Sequence, residues 1–153
     1  MIVKFKKLDS KAVIPTKIYE NDFCYDITAI SCEEIAPGVY KYGTGLAMEI
    51  VKGEIGQEQL KLSLDMRPRS SIWKHGMVLA NSVGTIDQDY RGEICAIFYH
   101  INKELPIYKI GDKVAQIKLG MTFPIEFTEV FELSKTERNS GGFGSTDNNK
   151  KAK

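Results

Sequence analysis

Asp87 and Tyr90 fall in one polar, turn-rich run, Asn81-Ser82-Val83-Gly84-Thr85-Ile86-Asp87-Gln88-Asp89-Tyr90-Arg91-Gly92-Glu93, with apolar residues on either side. Such a run reads as a β-hairpin. The inner edge of a hairpin presents backbone donors and acceptors, and a planar base can pair there much as a strand does. A carboxylate at Asp87 can take a proton from water. The ring of Tyr90 can pack flat against a sugar. Read alone, Asp87 is also an ordinary turn residue.

Other runs carry side chains suited to an anionic ligand. In Arg67-Pro68-Arg69-Ser70-Ser71 a proline sets a rigid start, and a single helical turn is expected over Ser71 to Lys74. Free N–H groups at such a turn point at an anion, with Arg69 and Ser70 as further donors. The competing reading is a basic helix start with a serine cap. Tyr25-Asp26-Ile27-Thr28-Ala29 sets one acid in an apolar stretch, either to face a hydrated metal ion or simply at a strand edge. Gly111-Asp112-Lys113-Val114-Ala115-Gln116 is a turn entering a strand, with Gln116 facing outward. The run Arg138 to Thr146 combines glycines, Arg138, Phe143, Gly144, Ser145 and Thr146. Glycines allow close backbone approach to phosphates, arginine forks onto phosphate oxygens, and an aromatic ring stacks on a base. No Gly-Lys-Ser/Thr follows, so this is not a Walker A loop. A flexible Gly/Ser tail is the plainer reading.

The elements that must hold these residues are strands. Met1, Val3 and Phe5 alternate with polar neighbours, as do Leu60, Leu62, Leu64 and Met66. Ile125, Phe127 and Phe131 share one face. Period two marks half-buried strands. Ile94 to Ile101 is apolar on both faces and reads as a central strand covered on both sides. In Lys113 to Leu119, Ala115, Ile117 and Leu119 point inward. Turn signals at 36–38, 43–45, 52–53 and 105–106 separate the runs, and many short strands predict a sandwich, barrel or jelly roll. From Ser134 onward the only large apolar residue is Phe143, so 134–153 is expected to be a flexible arm on a β domain of residues 1–133.

The chain's 153 residues suit one domain. Its 21 basic and 20 acidic side chains leave a net charge of +1, which argues against bulk nucleic-acid binding. Cys24, Cys32 and Cys95 form no CxxC pair and read as three free, mostly buried thiols. With no signal peptide and no membrane-length apolar run, a soluble, cytoplasmic protein is expected.

Together and in order, these five motifs resemble those of the trimeric dUTPase family. The resemblance runs from about Phe23 to Thr146. Its most specific pieces are Pro68-Arg69-Ser70-Ser71, Gly84 to Gly92, and Gly141-Gly142-Phe143-Gly144-Ser145-Thr146. It implies an all-β, jelly-roll-like fold and a homotrimer with shared active sites. It also implies hydrolysis of dUTP to dUMP and pyrophosphate, with Mg²⁺ on the triphosphate and Asp26 reaching that ion through water. Asp87 is then the catalytic base. Arg69, Ser70, Ser71, Arg138, Ser145 and Thr146 serve the phosphates; Asn81, Gly84, Thr85, Ile86, Tyr90 and Phe143 serve the nucleoside; Gln116 and Gly144 also bind substrate. Phe23-Cys24, Ser71, Asn139, Ser140 and Asp147 depart from the family pattern, and the stretch 52–64 is longer than usual. Two alternatives stand beside this reading: a dCTP deaminase of the same superfamily, with Glu93 as its glutamate, and a nucleotide-responsive regulatory protein on the same scaffold.

Overall fold

Leu62, Leu64 and Met66 are buried while Lys61 and Arg67 face water, so the alternation in this run becomes a strand with one wet face. The structure, a computed structural model, describes residues 2–51 and 60–143. In chain order the strands are β1 (Ile2–Lys7), β2 (Tyr25–Thr28), β3 (Ser31–Ala36), β4 (Val39–Gly43), β5 (Leu46–Val51), β6 (Lys61–Pro68), β7 (Met77–Leu79), β8 (Gly84–Asp87), β9 (Cys95–His100) and β10 (Lys113–Thr122). One 3-10 turn, Ile72–His75, lies between β6 and β7. It falls one residue later than the sequence predicts.

Every strand pairing is antiparallel. One four-stranded sheet runs β2-β10-β6-β8, a second runs β3-β4-β9-β7, and β1 pairs with β5. Core side chains come from both four-stranded sheets: Ile27, Leu64, Met66 and Ile117 from the first, Tyr42, Ala96, Phe98 and Met77 from the second. Burying a side chain such as Phe98 contributes roughly 1.5–3 kcal/mol. Tyr42 packs edge-on to both Phe98 and Tyr108 and donates its hydroxyl to the Tyr108 carbonyl at 3.0 Å. This is the jelly-roll-like all-β fold expected from the sequence.

Four expectations need correction. The run 81–93 is not a hairpin. Its strand β8 pairs with β6, while β7, the strand before it, belongs to the other sheet. A tight turn at Ala80 to Val83, with Ser82 at φ 57°, carries the chain across. β9 is central in its sheet but covered on one face only: Ala96 and Phe98 are buried, whereas Tyr99 is exposed. Ile125, Phe127 and Phe131 form no strand; every residue from Met121 to Ser140 is exposed. Their alternating apolar face has nothing in a single chain to cover it. The three cysteines are free but only half-buried. Among the described residues no helix is long and apolar enough to cross a membrane.

Candidate active site

β8 is an edge strand, so the side turned away from β6 keeps its backbone groups free of ladder bonds. A cavity of about 360 Å³ opens beside it. Asn81, Gly84, Thr85, Ile86, Asp87 and Tyr90 all line this cavity. The residues expected to read the nucleoside, Phe143 excepted, thus lie in one place, at an exposed sheet edge instead of a hairpin. Gly84 is needed there: a Cβ on it would stand 3.0 Å from Asn81 Nδ2. The absent side chain lets the Asn81 amide lie over the strand.

The turn after β8 is braced. The Tyr90 N–H donates to the Asp87 carbonyl at 3.1 Å. Arg91 Nη1 donates to the Gln88 carbonyl at 2.8 Å, and Gln88 Oε1 accepts from the Leu62 N–H at 3.3 Å. The Tyr90 hydroxyl donates to the Glu93 carbonyl at 3.1 Å. A Cβ on Gly92 would collide with the Tyr90 ring. These four bonds hold the turn that carries Asp87 and Tyr90, and Asp87 is exposed.

Lys41, Met66, Ile94 and Cys95 also line the cavity, and no local motif marks them: they come from β4, β6 and the entry to β9. Glu93, the last residue of the 81–93 run, completes this part of the wall. Burial and the neighbouring Glu93 charge push the Cys95 thiol up to about 11, against the pull of Lys41, so it stays protonated at neutral pH.

A second cluster stands at the end of β6. The Arg69 Nε donates to Asp26 Oδ1 at 2.9 Å, and Lys113 Nζ approaches Asp26 Oδ2 at 3.0 Å. A bulge between Lys113 and Ala115 makes this possible: it buries Val114 and Ala115 together and leaves Lys113 to reach Asp26. Lys113 was not singled out in the sequence, although it lies inside the Gly111 to Gln116 motif. Gln116 Nε2 donates to the Pro68 carbonyl at 2.9 Å and so fixes the entry to the 3-10 turn. Ser71 makes no side-chain capping bond. The N–H groups of Ser70 and Ser71 have no partner among the described residues. The serine-cap reading therefore fails, and two backbone donors directly after Arg69 are left without a partner among those residues. His75, at the far end of the turn, stacks on Tyr108 at 3.8 Å.

These two clusters do not meet in one chain: none of Arg69, Ser70, Ser71 or Gln116 lines the cavity beside β8. The arm is separate from both. Arg138 Nε donates to the Gly141 carbonyl at 2.8 Å, and Thr136 and Asn139 exchange hydrogen bonds at 3.1 and 3.0 Å. Asn139 has φ 43°, a left-handed conformation that asparagine tolerates better than most residues. This accounts for an asparagine where the family pattern has glycine. Phe143 is fully exposed. Gly144, Ser145, Thr146 and most of the long 52–64 stretch lie outside the described residues. Among the described residues no group of three His, Cys, Asp or Glu side chains is placed to hold a metal.

The dUTPase family profile matches residues 10–147. The chain is 41% identical over 148 residues to a deoxyuridine 5'-triphosphate nucleotidohydrolase of Nautilia profundicola, covering 95% of this chain and 99% of that one. It is 37% identical over 150 residues to the enzyme of that name from Helicobacter pylori strain Shi470, covering 95% and 97%. In fold it is similar to the dUTPase of Staphylococcus bacteriophage 80alpha solved with dUpNHpp, at TM-score 0.71, 24% identity and coverage of 94% and 97%. It is also similar to a mutant dUTPase of phage phi11 of S. aureus, described with a coordinated structural Mg(II) ion, at TM-score 0.65, 19% identity and coverage of 88% and 100%.

Proposed function

The chain belongs to the dUTPase family and hydrolyses dUTP to dUMP and pyrophosphate; from that premise we propose how its own residues divide the work. The observation that carries the proposal is the cavity beside β8, where Asn81, the β8 edge, Asp87 and Tyr90 converge. Uracil pairs with the Asn81 amide and the strand edge around Gly84, Thr85 and Ile86. A pattern that suits O4 and N3–H of uracil opposes the amino group of cytosine, and a buried mismatch of this kind discriminates strongly. Tyr90 lies against the deoxyribose and leaves no room for a 2′-hydroxyl.

Asp87 accepts a proton from the attacking water as its oxygen bonds to the α-phosphorus. The bond from that phosphorus to the bridging oxygen breaks, and pyrophosphate leaves with the electron pair. Arg69, the N–H groups of Ser70 and Ser71, and Gln116 through its hold on Pro68 form the phosphate cradle. They neutralise charge that would repel the nucleophile.

The cradle and the base cavity are separate in one chain, and an apolar arm from Phe123 to Leu133 lies uncovered. Both facts support a homotrimer in which one copy supplies the cavity, a second the cradle and a third the arm. The arm then brings Phe143 onto uracil, with Arg138, Gly144, Ser145 and Thr146 on the phosphates.

Both oxygens of Asp26 face cations, and among the described residues no cage of ligands surrounds it. Such a donor set fits Mg²⁺ held mainly by the triphosphate, with Asp26 touching its water shell. When bound, the ion supplies charge neutralisation on the phosphate oxygens.

The deaminase reading is not favoured. Glu93 Oε1 is already engaged by the Gly45 N–H at 2.7 Å, and the relatives are nucleotidohydrolases. The deciding assay measures pyrophosphate release from dUTP, dCTP, dTTP and UTP, with and without Mg²⁺. Selective, Mg²⁺-dependent release from dUTP is expected. Ammonia release from dCTP would overturn the assignment.

A further inference from the structure

Glu93 binds nothing in the scheme above, yet its two polar ends connect the sugar-facing ring to the core. Its main-chain carbonyl accepts from the Tyr90 hydroxyl at 3.1 Å. Its Oε1 accepts from the Gly45 N–H at 2.7 Å. A carboxylate acceptor makes that second bond stronger than a neutral one.

Gly45 is a fixed point. It occupies the β4–β5 turn at φ 65°, and its carbonyl accepts from the Leu8 N–H at 2.7 Å. The preceding Thr44 is fully buried and donates Oγ1–H to the Ile94 carbonyl at 2.7 Å. The Ile94 N–H donates to the Leu46 carbonyl at 2.8 Å. Residues 88–94, by contrast, belong to no strand. The Tyr90 ring therefore sits on a strandless stretch held at one end by the Gln88 bond to Leu62 and at the other by the Ile94 N–H bond to Leu46, and the Glu93 side chain adds a further tie from the residue that holds the ring's hydroxyl to the Gly45 turn.

We infer that Glu93 is a positioning residue for Tyr90 and, through it, sets the selection of deoxyribose over ribose. The inference rests on the reading of Tyr90 as the sugar platform. A ring held from Oη cannot tilt away to admit a 2′-hydroxyl. The Ile94 N–H bond holds one side of the Glu93 carbonyl's peptide and the side-chain bond to Gly45 holds the other; without the second, the carbonyl can swing about the first, the ring tilts, dUTP loses contact and UTP gains room. The bond at Gly45 requires an acceptor oxygen at the length of a Glu or Gln side chain, and does not require charge.

The experiment is steady-state kinetics of the full chain on dUTP and UTP, with thermal melts as a check on folding. Glu93→Ala is expected to lower the dUTP-over-UTP preference in kcat/KM about tenfold, the scale of one hydrogen bond. The change should appear mainly as a higher KM for dUTP, with kcat nearly intact. Glu93→Gln should keep the wild-type preference. Tyr90→Phe keeps the ring, deletes its bond to the Glu93 carbonyl, and should reproduce Glu93→Ala; the double variant should lose no more. If Glu93→Ala does not fold, Glu93→Asp takes its place, because its carboxylate falls one methylene short of Gly45. Tyr90→Ala separates the two readings. If it loses the preference while Glu93→Ala keeps it, the role of Glu93 is wrong and that of Tyr90 stands. If it keeps the preference, the sugar is read elsewhere and both fall. Additive losses from Glu93→Ala and Tyr90→Phe, or no rescue by Glu93→Gln, would also overturn the inference.

Discussion

Arg69 and Asp26 meet through Nε and Oδ1 at 2.9 Å, and Lys113 takes the other Asp26 oxygen at 3.0 Å. The carboxylate is mostly buried, so this is a fixed joint that aims two cations, not a loose surface pair. Asp26→Asn should keep the fold and lower kcat/KM for dUTP roughly 10- to 100-fold, because hydrogen bonds to charged groups contribute about 1.5–3 kcal/mol. The loss should fall mainly on KM. The half-saturating Mg²⁺ concentration separates two roles: unchanged, it assigns Asp26 to aiming Arg69 alone; raised, it adds contact with the ion's water shell. Full activity in the variant would remove Asp26 from the site.

Asp87 should be separable from binding. Asp87→Asn preserves shape and removes basicity. Calorimetry with a non-hydrolysable dUTP analogue should give near-normal affinity, while turnover falls about 10²–10⁴-fold. Near-normal turnover would exclude Asp87 as the base.

The acid limb of stability should depend on Asp65. Burial works to raise its pKa. Hydrogen bonds from Lys118 and Ser63, and the charges of Lys118 and Arg67, outweigh that and hold it below its ordinary 3.8. A carboxyl lowered by folding stabilises the protein above its unfolded pKa and loses that contribution as pH falls through the folded value. Asp65→Asn should therefore cost about 1–3 kcal/mol at pH 7, between an exposed pair and a buried one. The difference from wild type should shrink from about pH 4 downward. Chemical denaturation at pH 7 and pH 3 reads this directly; an equal difference at both would show that the Lys118 pair contributes nothing.

How far the sequence was legible follows from which forces are local. Alternation in Leu60 to Met66 and Lys113 to Leu119 depends only on burial of one face, and both runs form strands β6 and β10. The turn near Ser71 is likewise local, set by Pro68 and the residues after it. The partner of β8 is not local: polar residues flanked by apolar ones look the same whether the strand folds back on its neighbour or crosses to another sheet. Lys41 and Cys95 enter the cavity wall from strands paired far from the motif. Lys113 reaches Asp26 only because of a bulge, which has no compositional mark. The period-two face of Ile125, Phe127 and Phe131 predicts a half-buried strand, but the segment forms none, because nothing in one chain covers that face.

That arm gives the last prediction. Phe123, Ile125, Phe127, Phe131 and Leu133 are all exposed. So many large apolar side chains left exposed along eleven residues mark an interaction site more often than a solvated tail. The polar part beyond it, from Ser134, carries Arg138 and Phe143. The two parts should therefore fail differently when removed. A chain ending at Thr136 keeps the apolar segment and should remain a trimer by light scattering, yet lose most dUTP turnover, since phosphate and water are no longer held in line. A chain ending at Thr122 loses the apolar segment too and should dissociate or aggregate. In the proposed closed state, stacking of Phe143 on uracil would contribute roughly 1–3 kcal/mol, while ordering the arm costs conformational entropy. The triphosphate contacts of Arg138 must offset that cost, so hydrogen exchange over 137–143 should slow with a non-hydrolysable dUTP analogue and barely change with dUMP. Equal exchange in the free, dUMP-bound and analogue-bound states, or full activity in the chain ending at Thr136, would sink the closing arm. A monomer mass for the intact, fully active chain would sink the shared site.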